Sequence, residues 1–335
     1  MPEESIITPE MRQLVATWQA GPLVFEVEKG AINRYAQAIG DANPLWTDEA
    51  RAQQSKHGGL VAVPVFLMNF NPFHNGVAFP MRPLRGSASA GEVFEFYDFM
   101  RPGDTITVTE RLKDIYEKPG KRGAMIFTVD ERTFTNQRGE LVAKTNWTRV
   151  FYNVPSESKR VLPDVSAALA SRLELLQQGA AHVPFQMEAT GPQANQINFE
   201  DLDEGMELPS FVRHLTHELF VRFFAVSGDY AAHHVDYLYA VAEGWRDCIA
   251  QGLLGTAYLC KLVTDWIGEE GMLRKLRASY RGPGYPGDTW TCKGKVSRKY
   301  RVDGQNWVDC EICVENQDGL VVTPGSATVA LHSKG

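Results

Sequence analysis

One feature constrains the fold of this chain more than any other: a motif built around an aspartate occurs twice. In the later copy, Asp229 follows a glycine and precedes His234 by five residues. In the earlier copy, 188 positions upstream, Asp41 follows a glycine and Trp46 takes the place of the imidazole. A duplicated unit with one imidazole predicts one working site and one supporting site.

The repeat continues beyond this motif, with order and separation nearly unchanged. Further matched pairs are Arg101-Pro102-Gly103-Asp104-Thr105 with Tyr285-Pro286-Gly287-Asp288-Thr289, and Asn136-Gln137-Arg138-Gly139 with Asn316-Gln317-Asp318-Gly319. Such colinear pairs indicate a tandem duplication with few insertions. A length of 335 residues is typical of two domains of ordinary size.

Each copy predicts the same succession of elements. A short helix, over Ala31 to Ile39 or His217 to Val226, leads into the aspartate loop. An apolar segment of helical length follows, roughly Leu60 to Phe70 and Ile249 to Ile267. Alternating strands joined by Asn-Gln-x-Gly hairpin turns complete the copy. This succession predicts an α+β fold in which an antiparallel sheet wraps around a central helix.

The boundaries follow from the repeat. We predict a first unit over residues 1–154, a linker over 155–195, and a second unit over 196–335. The linker is rich in Ala, Ser, Gln and Pro, and residues 167–178 are a candidate helix within it. Asp104 and Asp288 follow Pro-Gly and are interpreted as turn formers.

Composition limits the partners and the compartment. The net charge of −7 argues against general nucleic-acid binding, and no apolar run is long enough to span a membrane. Five cysteines, an odd number, and an acidic N-terminus without an apolar signal core favour free thiols in the cytoplasm. Cys310 and Cys313 form a CxxC that is interpreted as part of a strand, so a zinc site is not expected.

The combined order of motifs resembles the MaoC-like hotdog dehydratases, which include the R-specific enoyl-CoA hydratases. The shared features are Gly-Asp-x-Asn-Pro-x-His, a glycine at the start of the central helix, and Pro-Gly-Asp-Thr opening a strand. The resemblance covers nearly the whole chain. It implies a tandem, or double, hotdog whose two sheets form one surface and whose central helices lie side by side.

The resemblance also implies roles for individual residues. Asp229 and His234 match the catalytic acid–base pair, and Gly252 matches the glycine whose backbone N–H faces the thioester oxygen. The chain departs from the family motif at three positions. Ala231 and Ala232 replace the motif's Asn and Pro, and Gln251 replaces its His. Further candidates for contact with substrate, including a basic segment for the phosphates of coenzyme A, are Gln251, His233, Arg274, Lys275, Arg277 and Arg281.

The first copy is interpreted as a degenerate site. Its residues are Asp41, Asn43, Trp46 and Gly59, and the missing imidazole predicts that it is not catalytic. No metal is expected, because the histidine pairs 214/217 and 233/234 lack the spacing of helical metal ligands. His214 and His217 are interpreted as surface or capping groups.

The chemistry implied is the addition of water to a 2-enoyl thioester, or its reverse. An imidazole can exchange protons near neutral pH, and an amide at a helix N-terminus can stabilise enolate charge. No cofactor is expected apart from coenzyme A as part of the substrate; a carrier-protein thioester is the other possibility, and a homo-oligomer is expected. A non-catalytic acyl-CoA-binding partner of an active hydratase, and a hotdog thioesterase, remain alternatives.

Overall fold

The structure is a computed structural model, and it describes residues 5–71, 80–121, 123–154 and 197–334, with the isolated positions 166, 170, 173 and 174. Most of the predicted linker, and the predicted helix over 167–178 apart from isolated positions, lies outside the described residues. The two halves are described below by their elements on either side of this gap.

The first half contains short helices and five strands. Its α-helices are α1 (Pro9–Thr17), α2 (Lys29–Ala38), α3 (Pro44–Thr47) and α4 (Glu49–Gln53), followed by a 3₁₀ helix, Pro64–Asn69. Its strands are β1 (Gln19–Glu26), β2 (Gly86–Phe96), β3 (Thr105–Gly120), β4 (Gly123–Thr135) and β5 (Leu141–Tyr152).

The second half repeats this plan with a longer central helix. Its helices are α5 (His217–Ser227), α6 (Tyr237–Ala242) and α7 (Gly252–Ile267), with 3₁₀ turns at Phe199–Asp201 and Ala232–His234. Its strands are β6 (Glu207–His214), β7 (Met272–Ser279), β8 (Thr289–Val302), β9 (Gln305–Asn316) and β10 (Val321–Leu331).

The ten strands of the described residues join in one antiparallel sheet, in the order β1-β3-β4-β5-β2-β7-β10-β9-β8-β6. The halves meet where β2 pairs with β7, for example Glu92 opposite Ala278. The order is pseudo-symmetric about this junction, since each half contributes its strands in the same sequence outward. The predicted α+β tandem hotdog, with one continuous sheet, is confirmed.

The central helices differ more than the sequence predicted. Helix α7 is buried over almost its whole length, as its apolar composition requires. In the described residues of the first half, the corresponding segment forms the short 3₁₀ helix Pro64–Asn69, so the prediction of a helix over Leu60 to Phe70 was wrong in type and length. Three valines, at 61, 63 and 65, and a proline at 72 disfavour a longer α-helix there.

Several local predictions are confirmed. Thr216 caps α5 by accepting a hydrogen bond from the Leu219 N–H at 3.0 Å. Asp104 and Asp288 each accept a bond from the amide three residues earlier, at 2.8 Å, and so close matched turns. The CxxC lies in β9 with Cys310 buried and Cys313 partly exposed. Among the described residues, no helix has the length and apolarity needed to cross a membrane.

Candidate active site

The loop after α5 holds the candidate acid and base. Gly228 ends the helix in the left-handed conformation, φ 69°, which turns the chain toward Asp229. His234 closes the 3₁₀ turn that follows, and its Nδ1 lies 2.8 Å from the Ile249 carbonyl oxygen. A carbonyl can only accept, so Nδ1 carries the proton and Nε2 of a neutral ring is left as an acceptor.

The second ring nitrogen faces the acid. Nε2 of His234 lies 3.4 Å from Oδ2 of Asp229. The imidazole is buried, whereas the Asp229 side chain keeps 24% of its surface exposed. The pair therefore combines a held tautomer with access from outside, the arrangement that proton exchange with a bound water needs.

Gly252 is the first residue of α7, and its N–H belongs to the helix's unsatisfied first turn. The N–H donates no backbone hydrogen bond within the part of the chain that the structure describes. A Cβ at this position would lie 3.0 Å from the Tyr280 ring, a tight contact that the ring would have to shift slightly to accept. The same short segment holds both groups, because Ile249, which accepts from His234, lies three residues before Gly252.

Gln251, immediately before Gly252, has a fully buried side chain. Neither atom of its amide finds a hydrogen-bond partner among the described residues. An unsatisfied buried amide is expensive, which makes this side chain a candidate for contact with a ligand. The sequence prediction of Gln251 as a substrate contact is compatible with this position and stays a prediction.

Two polar residues near Gly252 escaped sequence analysis. The Tyr280 hydroxyl lies 3.0 Å from the Thr256 hydroxyl; Thr256 is buried and Tyr280 is partly buried. Burial, together with the nearby charges of Glu92 and Asp229, raises the pKa of Tyr280 well above its usual value. The signal was available in the repeat, because Phe96 occupies the position in the first copy that Tyr280 occupies in the second.

The remaining predicted contacts do not form one cluster. The His233 Nδ1 lies 3.0 Å from Glu243, and its ring packs edge-on against His234; burial and the neighbouring His234 lower its pKa. Arg274 donates to main-chain carbonyls of the β2 end, and Lys275 pairs with Glu95, so both hold the junction of the halves. Arg277 and Arg281 remain exposed.

The first copy of the motif is closed by packing. Asp41 is fully buried, and the Lys261 ammonium from α7 lies 3.6 Å from it and 2.5 Å from Asp265. Burial raises the pKa of Asp41, and the Lys261 charge opposes that rise. Trp46 is buried in the place of the imidazole, and Asn43 donates its N–H to Asp41 at 3.0 Å.

Matched hydrogen bonds correct one prediction for this first site. The Val61 N–H donates to the Leu45 carbonyl, as the Ile249 N–H donates to the His233 carbonyl in the second half. Pro64 lies three residues after Val61, as Gly252 lies three residues after Ile249, so the position that matches Gly252 is Pro64 and not Gly59. Proline has no N–H, and the first site therefore lacks the amide donor as well as the imidazole.

One group of possible metal ligands occurs among the described residues, at His217, Asp247 and Cys248. The His217 Nε2 lies 3.0 Å from Asp247, which is an ordinary ion-pair geometry. These residues are separate from the Asp229 and His234 pair in sequence, and His217 lies at the start of α5, as expected for a residue at a helix entrance.

Two family models match the chain. Residues 14–145 match the FAS1-like dehydratase domain region, and residues 206–315 match the MaoC-like domain. A solved MaoC-like dehydratase superimposes with a TM-score of 0.72 at 21% identity, covering 95% of this chain and 97% of that one. A conserved hypothetical protein from Mycobacterium tuberculosis with a double hotdog fold gives a TM-score of 0.63 at 12% identity, covering 94% and 95%.

Curated relatives match parts of the chain. The alpha subunit of 3-oxo-4,17-pregnadiene-20-carboxyl-CoA hydratase from Mycobacterium tuberculosis is 26% identical over 41% of this chain and 48% of its own length. A probable enoyl-CoA hydratase alpha subunit from Thermomonospora curvata is 30% identical over 35% and 42%. The chain thus spans less than half the length of these two relatives.

A UPF0336 protein from Parafrankia sp. is 32% identical over 36% of this chain and 80% of its own length. The two family models match the two halves in the order that the duplicated motif predicts. The fold, the repeated aspartate loop and these similarities agree with one another. The chain belongs to the MaoC-like hotdog dehydratase family.

Proposed function

We propose that the chain catalyses the reversible hydration of a 2-enoyl thioester to a 3-hydroxyacyl thioester. The observation that carries the proposal is the Asp229–His234 pair, with Nε2 and Oδ2 3.4 Å apart, next to the start of α7. Hydratase and dehydratase names among the relatives support the reaction class.

In this mechanism Asp229 and His234 hold the attacking water. The water oxygen forms a bond to the β-carbon. One proton of the water passes to the Asp229–His234 pair, and the pair delivers a proton to the α-carbon. The Gly252 N–H, at a helix N-terminus, stabilises the negative charge that develops on the thioester oxygen. The reverse sequence releases water, so the same groups serve both directions.

We assign Gln251 a supporting role in the same step. Its buried side-chain amide adjoins Gly252, and a second donor beside the backbone N–H would hold the thioester carbonyl in one orientation. The first half has Val63 at the matched position. The copy that lost the imidazole thus also lacks this amide.

The test is the hydration of crotonyl-CoA, measured as the loss of the ultraviolet absorbance of the enoyl thioester. Asp229→Asn and His234→Ala are each expected to reduce kcat by about 10³-fold or more while circular dichroism and thermal unfolding stay close to wild type. His214→Ala, outside the pair, is the matched control and should retain activity. Wild-type turnover in both site variants would refute the assignment, and thiol release without hydration would point to a thioesterase.

The thioester carrier is the second part of the proposal. We propose coenzyme A, with the exposed Arg277 and Arg281 near its phosphates and no further cofactor. Arg281→Glu should then raise KM for crotonyl-CoA several-fold with little change in kcat, since rim charges affect encounter more than chemistry. An unchanged KM in this variant would favour a carrier-protein substrate.

A further inference from the structure

The concave faces of the two halves differ in polarity at matched positions. Strand register defines the matches: Asp130 lies opposite Trp147 in the first half, and Cys310 lies opposite Ala327 in the second. The first half carries a set of buried polar residues on this face, here called the polar cluster: Glu92, Glu110, Thr128, Asp130, Arg132 and Thr145. The corresponding second-half positions, 276, 294, 308, 310, 312 and 325, are all apolar or glycine.

The difference follows the central helices. In the second half, α7 packs on this face and selects small and apolar side chains under it. In the first half, the central 3₁₀ helix ends at Asn69. The polar cluster lies between two apolar groups on the same strands, represented by Phe134 on one side and Ile126 on the other.

Part of the polar cluster is satisfied internally. The Arg132 Nε donates to Glu110 at 2.7 Å, and the Arg132 guanidinium lies 3.9 Å from Glu92. Asp130 differs, because its side chain is fully buried and neither carboxylate oxygen has a hydrogen-bond partner among the described residues. Within the same described part of the chain, Glu110 Oε1 and the Thr128 hydroxyl also make no hydrogen bond.

The protonation of these acids reflects their surroundings. Burial raises the pKa of Asp130 to about 7, and the Glu110 charge adds to that rise while Arg149 and Arg132 oppose it. Burial likewise raises the pKa of Glu92 to about 7 against the Arg132 charge. The polar cluster thus holds two carboxyl groups of raised pKa beside the Arg132 guanidinium and the hydroxyls of Thr128 and Thr145.

The polar cluster adjoins the candidate active site. Glu92 pairs with Ala278 on β7, two residues before Tyr280, whose ring packs against Gly252. Asp130 lies two strands farther from Glu92 across β5, roughly 10 Å at the usual strand spacing. An acyl chain that leaves the thioester carbonyl along this face would bring its distal end to Asp130.

We propose that the polar cluster recognises a hydroxyl group on the acyl chain of the substrate. This inference rests on the proposed function and specifies its substrate class. A hydroxyl donates one hydrogen bond and accepts others, so it fits a site whose unpaired atoms include both the Asp130 carboxylate oxygens and the Thr128 hydroxyl. A purely apolar chain would leave those oxygens unsatisfied.

The test is calorimetric binding of two saturated thioesters, decanoyl-CoA and ω-hydroxydecanoyl-CoA, which do not depend on turnover. The wild type should bind the hydroxylated thioester about tenfold tighter or more, because a site built for a hydroxyl discriminates against its absence. Asp130→Leu should abolish that preference. Thr128→Val, which introduces the residue found at matched position 308, should reduce it.

Glu131→Gln is the control, since Glu131 lies on the opposite face of β4 and pairs with Arg111 and Lys113; its preference should equal that of wild type. Equal wild-type affinity for the two thioesters would overturn the inference, as would a preference that survives both Asp130→Leu and Thr128→Val. If Asp130 has only a structural role, the Asp130→Leu variant should have a lower Tm than the wild type. If Asp130 recognises the ligand, the Tm of the variant without ligand should be unchanged or higher. Absence of crotonyl-CoA hydration would refute the proposed function alone.

Discussion

The two aspartate loops show how one backbone motif serves different purposes. In both, a left-handed glycine precedes the aspartate, at Gly40 with φ 64° and at Gly228 with φ 69°. Asp229 is partly exposed beside an imidazole, whereas Asp41 is fully buried beside the Lys261 ammonium. The lysine comes from the second half's own central helix. The contact between Lys261 and Asp41 therefore joins one half to the other.

The position of the proposed oxyanion donor differs between the copies as well. Gly252 presents an N–H at the start of α7, and Pro64 at the matched position has none. The changes that separate the two copies include imidazole to indole, glycine to proline, a buried amide to valine, and an acid closed by an ion pair. Restoring any one of them in the first half is therefore expected to yield no activity.

The largest expected effect is on stability. Lys261→Met leaves Asp41 and Asp265 buried without their cation and should lower the free energy of unfolding by about 3–5 kcal/mol. Urea unfolding at pH 8 measures it, and adding Asp41→Asn should recover part of the loss. Lys293→Met, which removes an exposed pair with Glu315, should have no measurable effect. A Lys261 variant as stable as wild type would show that the idle site does not join the halves.

The next effect is on catalysis. Gly252→Pro introduces the first half's residue and removes the N–H, and it should lower kcat by about 10²–10³-fold. Gly252→Ala keeps the N–H but adds a methyl against Tyr280, so a smaller loss is expected. Steady-state rates with crotonyl-CoA compare them, and Pro64→Gly should add no activity. An unaffected kcat in Gly252→Pro would remove the proposed oxyanion donor.

A third effect concerns the concave faces and pH. Burial raises the pKa of Asp130 from its ordinary 3.8 to about 7, so the folded state retains a proton that the unfolded state has lost between these values. Stability should therefore fall as pH rises from about 4 to about 7. Asp130→Asn should flatten that fall by roughly 4 kcal/mol in urea titrations. Identical slopes in variant and wild type would contradict a buried, proton-binding carboxyl.

The smallest effect is at Gln251. Gln251→Val introduces the first half's residue and removes a buried amide without a described partner, so stability should rise by about 1 kcal/mol. If the amide orients the thioester, kcat should fall about tenfold. Thermal unfolding and single-turnover rates separate these outcomes. A variant that loses stability and keeps its rate would show that the side chain is structural.

Much of the architecture could be predicted because its signals are local. Proline-glycine-aspartate turns, Asn-Gln-x-Gly hairpins and the Thr216 cap depend on residues within a few positions of one another. Because the chain is a repeat, each of these local patterns occurs in both halves and supports the same prediction twice. The first half's central helix was the failure, because an apolar run alone does not distinguish a long α-helix from a short 3₁₀ helix.

The sequence by itself determined the duplicated fold, its turns and the identity of the single copy that keeps an imidazole after its aspartate. Only the tertiary structure showed that Lys261 reaches Asp41, that Pro64 rather than Gly59 matches Gly252, and that the buried polar residues of four first-half strands share one face. The physical reason is distance along the chain. These relations depend on strand register and on packing between residues that are far apart in sequence, and no local pattern encodes them.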